Sequence, residues 1–261
     1  MYISDSRKNY LKRIRNEKIF VFIFRLLILL VFLVGWEVLA RLEIINTFTF
    51  SSPMRVINTI IGLFKDGSLF SHIGITLYEI IISFIISSGV GLLISSILWS
   101  NTTLSKIVEP YLTVLNSLPK VALGPLIIIW VGASINSIIF MSLLISTFVT
   151  IINIYNSFIS TDKNYIVLMK SFGASKWQIF SKVVFPSNFK NIISALKINI
   201  SMNLIGVIMG ELLVSKSGIG YLIMYGSQVF NIDLVIAGVF ILGIISYLMY
   251  LIVDRFEKKE T

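Results

Sequence analysis

Lys170-Ser-Phe-Gly-Ala-Ser-Lys-Trp-Gln-Ile-Phe-Ser-Lys-Val-Val-Phe-Pro186 is an amphipathic, basic segment set between strongly apolar runs. Just before and into it, Tyr165, Leu168, Met169 and Phe172 recur at i, i+3, i+4 and i+7, which predicts one apolar face of a helix. Asp162 or Thr161 can cap its start. Gly173 follows the last apolar residue, where helices commonly end in a left-handed residue that glycine adopts freely. Ser175 and Gln178 have the S-x-x-Q spacing of a capping box and open a second helix, with Trp177, Phe180 and Val184 as its apolar stripe. Pro186 lacks an N–H and restricts Phe185, so that helix is expected to stop there. The reading is helix, tight turn, helix, with Lys163, Lys170, Lys176, Lys182 and Lys190 around it. An ordinary amphipathic linker on a membrane surface has the same local pattern, so the rest of the chain must decide.

The rest of the chain is hydrocarbon-like. Of its 261 residues 56% are hydrophobic and only 13% charged, which is not the balance of a soluble domain. Several runs reach the roughly 18 to 20 apolar residues needed to cross a bilayer. There are no cysteines, which excludes disulfides and thiolate chemistry. Residues 1–18 form a basic segment, and the apolar run after them is too long for a signal-peptide core and lacks a small-residue cleavage site. It is expected to stay as a first span.

Six spans are expected: Ile19 to Ala40, Ile73 to Trp99, Ile107 to Val131 interrupted by Pro119 and Pro125, Ile135 to Ile159, Phe189 to Val214, and Leu234 to Val253. The membrane domain is thus 19–253, with the 160–188 loop inside it and a short tail at 254–261. Six spans put both termini on one side. Arg7, Lys8, Lys12, Arg13, Arg15, Lys18, Lys106, the five loop lysines, Arg255, Lys258 and Lys259 share that side, against Arg41, Arg55, Lys65 and Lys216 on the other. The positive-inside rule makes the termini and the 160–188 loop cytoplasmic in a multi-pass protein of the cell membrane. The same rule accounts for the net charge of +9 and makes nucleic acid an unneeded partner. Two segments on the other side are more than simple loops. Ser51-Ser-Pro begins a short interfacial helix, and the glycine-broken Ser217 to Tyr225 re-enters or lies on the outer face.

The 170–186 segment resembles the EAA loop of ABC-importer permeases, whose pattern is Glu-Ala-Ala, three residues, Gly, nine residues, Ile-x-Leu-Pro. Gly173 and Pro186 stand at that spacing, with Val183 and Phe185 in the Ile and Leu places. Trp36-Glu-Val-Leu-Ala-Arg41, Ser52-Pro53, Leu118 to Leu126 with Trp130-Val-Gly132, and Gly210-Glu-Leu-Leu with Ser217-Gly-Ile-Gly-Tyr-Leu-Ile223 extend the similarity, toward the nitrate/sulfonate/taurine branch. The resemblance implies an all-α, MetI-like transmembrane domain of six helices. It implies a second permease copy, as a homodimer in membrane lipid, with an ABC ATPase subunit on each copy and an extracytoplasmic binding protein that delivers a small solute. ATP and Mg would be bound on the ATPase, and no catalytic residue, cofactor or metal is expected in this chain; no G-x-x-x-x-G-K-[ST] loop is present. Contacts to the ATPase are implied for Leu168, Met169, Ser171, Phe172, Gly173, Ala174, Ser175, Lys176, Trp177 and Pro186.

Three departures from the family pattern bear on one contact to the ATPase, at Val167, and on the pathway, at Glu79 and Lys120. Val167 stands where the loop usually has Glu, Glu79 where the second span typically carries a basic residue, and Lys120 where the third span usually has a proline. Lys120 sits midway along a span, where a charge is costly unless paired or hydrated. It either attracts an anionic solute, pairs with Glu79, or snorkels into the break at Pro119. Glu211 either lines the outer gate or caps the re-entrant turn. Asn199 and Asn203, at i and i+4, either line the pathway or hold helices together, with Gly206 and Gly210 further along. Gly89 and Gly91 read as close packing, and His72 as an exposed residue at the membrane boundary. A stand-alone secondary transporter is the alternative, but it calls for internal repeats around a buried ion site. A membrane enzyme is a weaker fit, with one His and no clustered carboxylates.

Overall fold

In the computed structural model, which describes residues 5–258, the chain is helical throughout. The helices are α1 (Asp5–Arg41), α2 (Thr47–Phe50), α3 (Pro53–Lys65), α4 (Ser68–Ser100), α5 (Thr102–Ser117), α6 (Gly124–Val131), α7 (Ile135–Ile159), α8 (Lys163–Ser171), α9 (Lys176–Ile179), α10 (Phe185–Ser187), α11 (Phe189–Val214), α12 (Ile219–Gln228) and α13 (Ile232–Lys258). A 3₁₀ turn over Lys120–Leu123 precedes α6, and a π turn over Phe180–Val184 joins α9 to α10. Five helices are long and apolar enough to cross a membrane, and α5 with the Lys120–Val131 segment makes a sixth crossing that is bent by 82°. The expected third span is therefore a broken one. Pro119 cannot donate a backbone hydrogen bond, and Leu118 before it takes an extended conformation (ψ 140°), so α5 ends there.

α4, α7 and α11 form the centre, with α12 and α13 packed on one flank. Ile80, Ile138, Val207, Ile219, Leu222 and Ile241 fill the core at one end. Ile154, Phe158, Ile179, Phe180, Val184 and Ile192 fill it at the other, where the 160–188 segment sits. α1 stands apart: along its most apolar window no described residue is buried within the chain, and Ala40 near its end is. It is held near its end, where Trp36 stacks on Phe240 at 6.5 Å and Glu37 accepts the Met54 N–H at 3.1 Å. α3 starts as the Ser-Ser-Pro signal predicts, with Ser52 capping the Arg55 N–H. Asp233, at the start of α13, locks α3 in place by accepting from Ser51 at 2.6 Å and pairing with Arg55 at 2.8 Å. Of the basic residues that set the expected orientation, the side chains of Arg7, Lys8, Lys18 and Lys258, and Lys259 altogether, lie outside the described residues, as does the end of the tail at 259–261.

Candidate coupling surface and buried polar seam

The 160–188 segment is built from local signals. The Asp162 carboxylate caps α8 by accepting the Asn164 N–H at 2.9 Å. At the other end of α8, the Gly173 N–H reaches the Lys170 carbonyl at 2.9 Å and the Ala174 N–H the Met169 carbonyl at 3.0 Å. That pair is a Schellman ending, and Gly173 takes the left-handed conformation it needs, with φ +75°. Ser175 and Gln178 then close a reciprocal capping box, at 2.7 and 3.3 Å. The base of the segment is tied by a bond that sequence reading missed: Asn188 Nδ2 donates to Thr161 Oγ1 at 2.7 Å, both residues being buried. Nothing in a one-dimensional pattern pairs two polar residues 27 positions apart.

Two local expectations are corrected. Pro186 does not stop the second helix. The chain runs through it, because the preceding π turn lets Phe185 bond back to Phe180 and widens the backbone where a proline ring would clash. The two apolar stripes are also divided differently. Phe180 and Val184 are buried, and Ile166 and Met169 pack against that cluster, but Tyr165, Leu168 and Phe172 face out, with Phe172 77% and Trp177 72% exposed. Val167, in the place of the usual Glu, is exposed too. The turn thus presents Leu168, Phe172, Gly173 and Trp177 on a base anchored in the bundle. Ala174 is partly buried, Ser171 folds its hydroxyl back to the Leu168 carbonyl at 2.7 Å, and Lys176 reaches the Ser100 carbonyl at 3.4 Å.

Inside the bundle, polar and small residues recur every fourth position along the facing sides of three helices. On α4 they are Glu79, Ser83, Ser87, Gly91 and Ser95, on α7 Ser142, Ser146 and Thr150, and on α11 Asn199 and Asn203, all buried. Asn203 Oδ1 accepts from Ser142 at 2.9 Å and Ser146 at 3.1 Å, while its Nδ2 donates to Ser87 at 3.1 Å and Asn199 at 2.6 Å. Asn199 also bonds Ser88 at 2.8 Å. The asparagines join helices of one chain, which matches the cohesive reading of such residues in membranes. A side-chain carbon on Gly91 would lie 2.6 Å from Thr150, and one on Gly210 2.9 Å from Ile138. Gly89 is different from the expectation: open space surrounds it.

At the end of α4 remote from the loop, Glu211 caps the glycine turn before α12. Its Oε2 accepts the Gly220 N–H and its Oε1 accepts from Thr76 at 2.6 Å. Thr76 in turn accepts the Ile219 N–H at 2.8 Å. His72 is half-buried rather than exposed, and its Nδ1 accepts the Gly218 N–H at 3.0 Å. Glu79 lies beside Glu211 and not beside Lys120. Lys120 sits in the break of the bent span, half-buried, with its ammonium 3.2 Å from Asn116 Oδ1, 3.4 Å from the Ile145 carbonyl and 5.5 Å from the Phe148 ring centre. Sequence reading passed over Lys197, which pairs with Asp254 at 2.6 Å and ties α11 to α13. The signal was available, as a lysine within an apolar span needs a carboxylate or water. Among the described residues no group of three or more His, Asp or Glu is placed to hold a metal.

Residues 87–261 match the family described as binding-protein-dependent transport system inner membrane component. The formylaminopyrimidine transport permease protein ThiX of Halalkalibacterium halodurans is 29% identical over 89% of this chain and 92% of its own length. A probable ABC transporter permease protein of Haemophilus influenzae is 30% identical over 88% and 93%, and a putative aliphatic sulfonates transport permease protein SsuC of Bacillus subtilis 27% over 86% and 81%. Among solved structures, an inward-facing MetNI methionine ABC transporter chain superposes with a TM-score of 0.66 at 20% identity, covering 74% of this chain and 96% of that one. That likeness gives the fold, which is MetI-like. With its helices long enough to cross a bilayer, the chain belongs to the family of inner-membrane permease components of binding-protein-dependent ABC importers.

Proposed function

We propose that this chain is the permease subunit of an importer in which two copies enclose the pathway. Each copy docks one ABC ATPase subunit through the Gly173 turn, and an extracytoplasmic binding protein delivers the solute to the opposite end. ATP and Mg are then held on the ATPase, and this chain performs no chemistry of its own. The observation that carries the reading is the exposed apolar turn itself. Phe172 and Trp177 face out at the end of a segment whose base is buried in the bundle, and the turn between them is fixed by a Schellman ending and a capping box. A rigid, apolar, basic-rimmed projection is suited to insertion into a groove of a soluble partner. The basic excess on one side of the spans supports a cytoplasmic position for this turn and both termini.

The named relatives concern a formylaminopyrimidine and aliphatic sulfonates, and a further one, from Escherichia coli, taurine. The solute proposed here is from the same range: a sulfonate, a nitrate-like anion or a pyrimidine vitamin precursor. Lys120, half-buried at the break of the bent span and without an ion-pair partner among the described residues, favours a solute with a negative group. The test is to co-express the chain with an ABC ATPase and a binding protein and measure ATP-driven uptake into vesicles. Uptake that needs all three components is expected. Uptake driven by an ion gradient without the ATPase would support the secondary-transporter alternative instead.

A further inference from the structure

Glu79 and Glu211 are 0% and 1% exposed. Thr76, one turn before Glu79 on the same face of α4, donates to Glu211, which places the two carboxyl groups side by side between α4 and α11. Their surroundings differ. Glu211 is met by donors on both oxygens, from Thr76 and from the Gly220 N–H. Among the described residues no donor reaches either oxygen of Glu79, and the hydroxyl of Ser83, one turn further along α4 and equally buried, is also without a partner. No Lys, Arg or His forms an ion pair with either carboxyl group among the described residues. The nearby histidine, His72, is engaged with the Gly218 N–H and stacked on Tyr221, and Lys216 in the same turn is exposed.

Two ionised carboxylates cannot rest against each other in a dry interior, since each is desolvated and each repels the other. We infer that Glu79 and Glu211 together bind one proton, with Glu79 as the carboxylic acid that donates to the Glu211 carboxylate. This single proton turns Glu79 from an acceptor with no donor into a donor with an acceptor. It also removes one of two buried charges. The charge that stays, on Glu211, is the one already met by the Thr76 hydroxyl and the Gly220 N–H. The second oxygen of the Glu79 acid is left as an acceptor one turn from the unpaired Ser83 hydroxyl. The proton then adds one more bond from α4 to α11, beside those of Thr76 and Ser87, in a seam without a salt bridge among the described residues.

The inference rests on burial and contact, not on the transport reading, and is tested without transport. Infrared difference spectra of purified wild type minus E79Q, in water and in deuterium oxide at neutral pH, should show a deuterium-sensitive protonated-carboxyl band that the variant lacks. E79Q should melt within about 3 °C of wild type, because the Gln amide donates to Glu211 in the place of the proton. E211Q removes the charged acceptor and should shift the same band, which provides a second reference if E79Q cannot be purified. Carboxylate bands alone would overturn the inference. If, in addition, Na⁺ or K⁺ raises the melting temperature of wild type but not of E79Q, the pair holds a metal cation in the place of the proton.

Discussion

Gly206 of α11 lies directly against the backbone of Ser142 of α7, so close that a side-chain carbon at 206 would overlap the Ser142 α-carbon. This contact lets the polar seam close, because Ser142 must reach both the carbonyl and the side chain of Asn203 one turn away, at 3.1 and 2.9 Å. Backbone cannot retreat as a flexible side chain can. Gly206→Leu is therefore expected to cost about 1–3 kcal/mol of stability, read as a lower melting temperature in detergent. Gly89→Ala, at a helical glycine with open space around it, should be neutral or gain up to ~1 kcal/mol.

The Gly173 turn separates space from backbone conformation. Nothing lies within 4 Å of a side-chain carbon there, yet φ is +75°. A valine would be strained by ~1–2 kcal/mol in the left-handed region, while asparagine enters it more readily. Gly173→Val should insert in the membrane at wild-type levels and lose the co-purified ATPase and uptake. Gly173→Asn should keep most of both. Normal uptake by Gly173→Val would refute the docking role of the turn.

Lys120 and Glu79 do not meet, so they should not rescue each other. Lys120→Gln should assemble normally and slow uptake on the order of tenfold, the effect of ~1.4 kcal/mol on a barrier, and Lys120→Arg should retain part of the rate. Adding Glu79→Gln to Lys120→Gln should restore nothing. Full activity of Lys120→Gln alone would leave the lysine as a filler of the helix break, held by Asn116 and the Ile145 carbonyl.

The proposed pairing of two copies can be mapped because the chain has no cysteine of its own. On α11, Ile198, Ser201 and Ile205 form an exposed stripe at helical spacing, while Asn199 and Asn203 are buried within the chain. Single cysteines at 198, 201 or 205 should cross-link two copies. Those at 199 or 203 should not. A complex that purifies with one permease and one ATPase subunit would contradict the pairing.

The sequence by itself determined the membrane class, the approximate spans and the local form of the 160–188 turn. Those depend on signals a few residues long. An apolar run crosses a bilayer whatever its neighbours, Gly173 ends a helix by its own backbone, and Ser175 and Gln178 cap one across three residues. Even there, tertiary packing reassigned the stripes: Phe180 and Val184 went inward, and Trp177 and Phe172 stayed out. Only the tertiary structure decided which partner each intramembrane polar group takes. Glu79 and Lys120 are both unusual for a span, and opposite charge made them a natural pair on paper, yet α4 brings Glu79 to Glu211 while the bent third span carries Lys120 toward α7. Asn199 and Asn203, which suit packing or pathway, are bonded between helices because Ser87, Ser142 and Ser146 on two other helices arrive at their level. Helical periodicity sets which face a residue occupies, but the register between helices far apart in the chain is set by close approaches such as Gly206 on Ser142, and no local pattern encodes that distance.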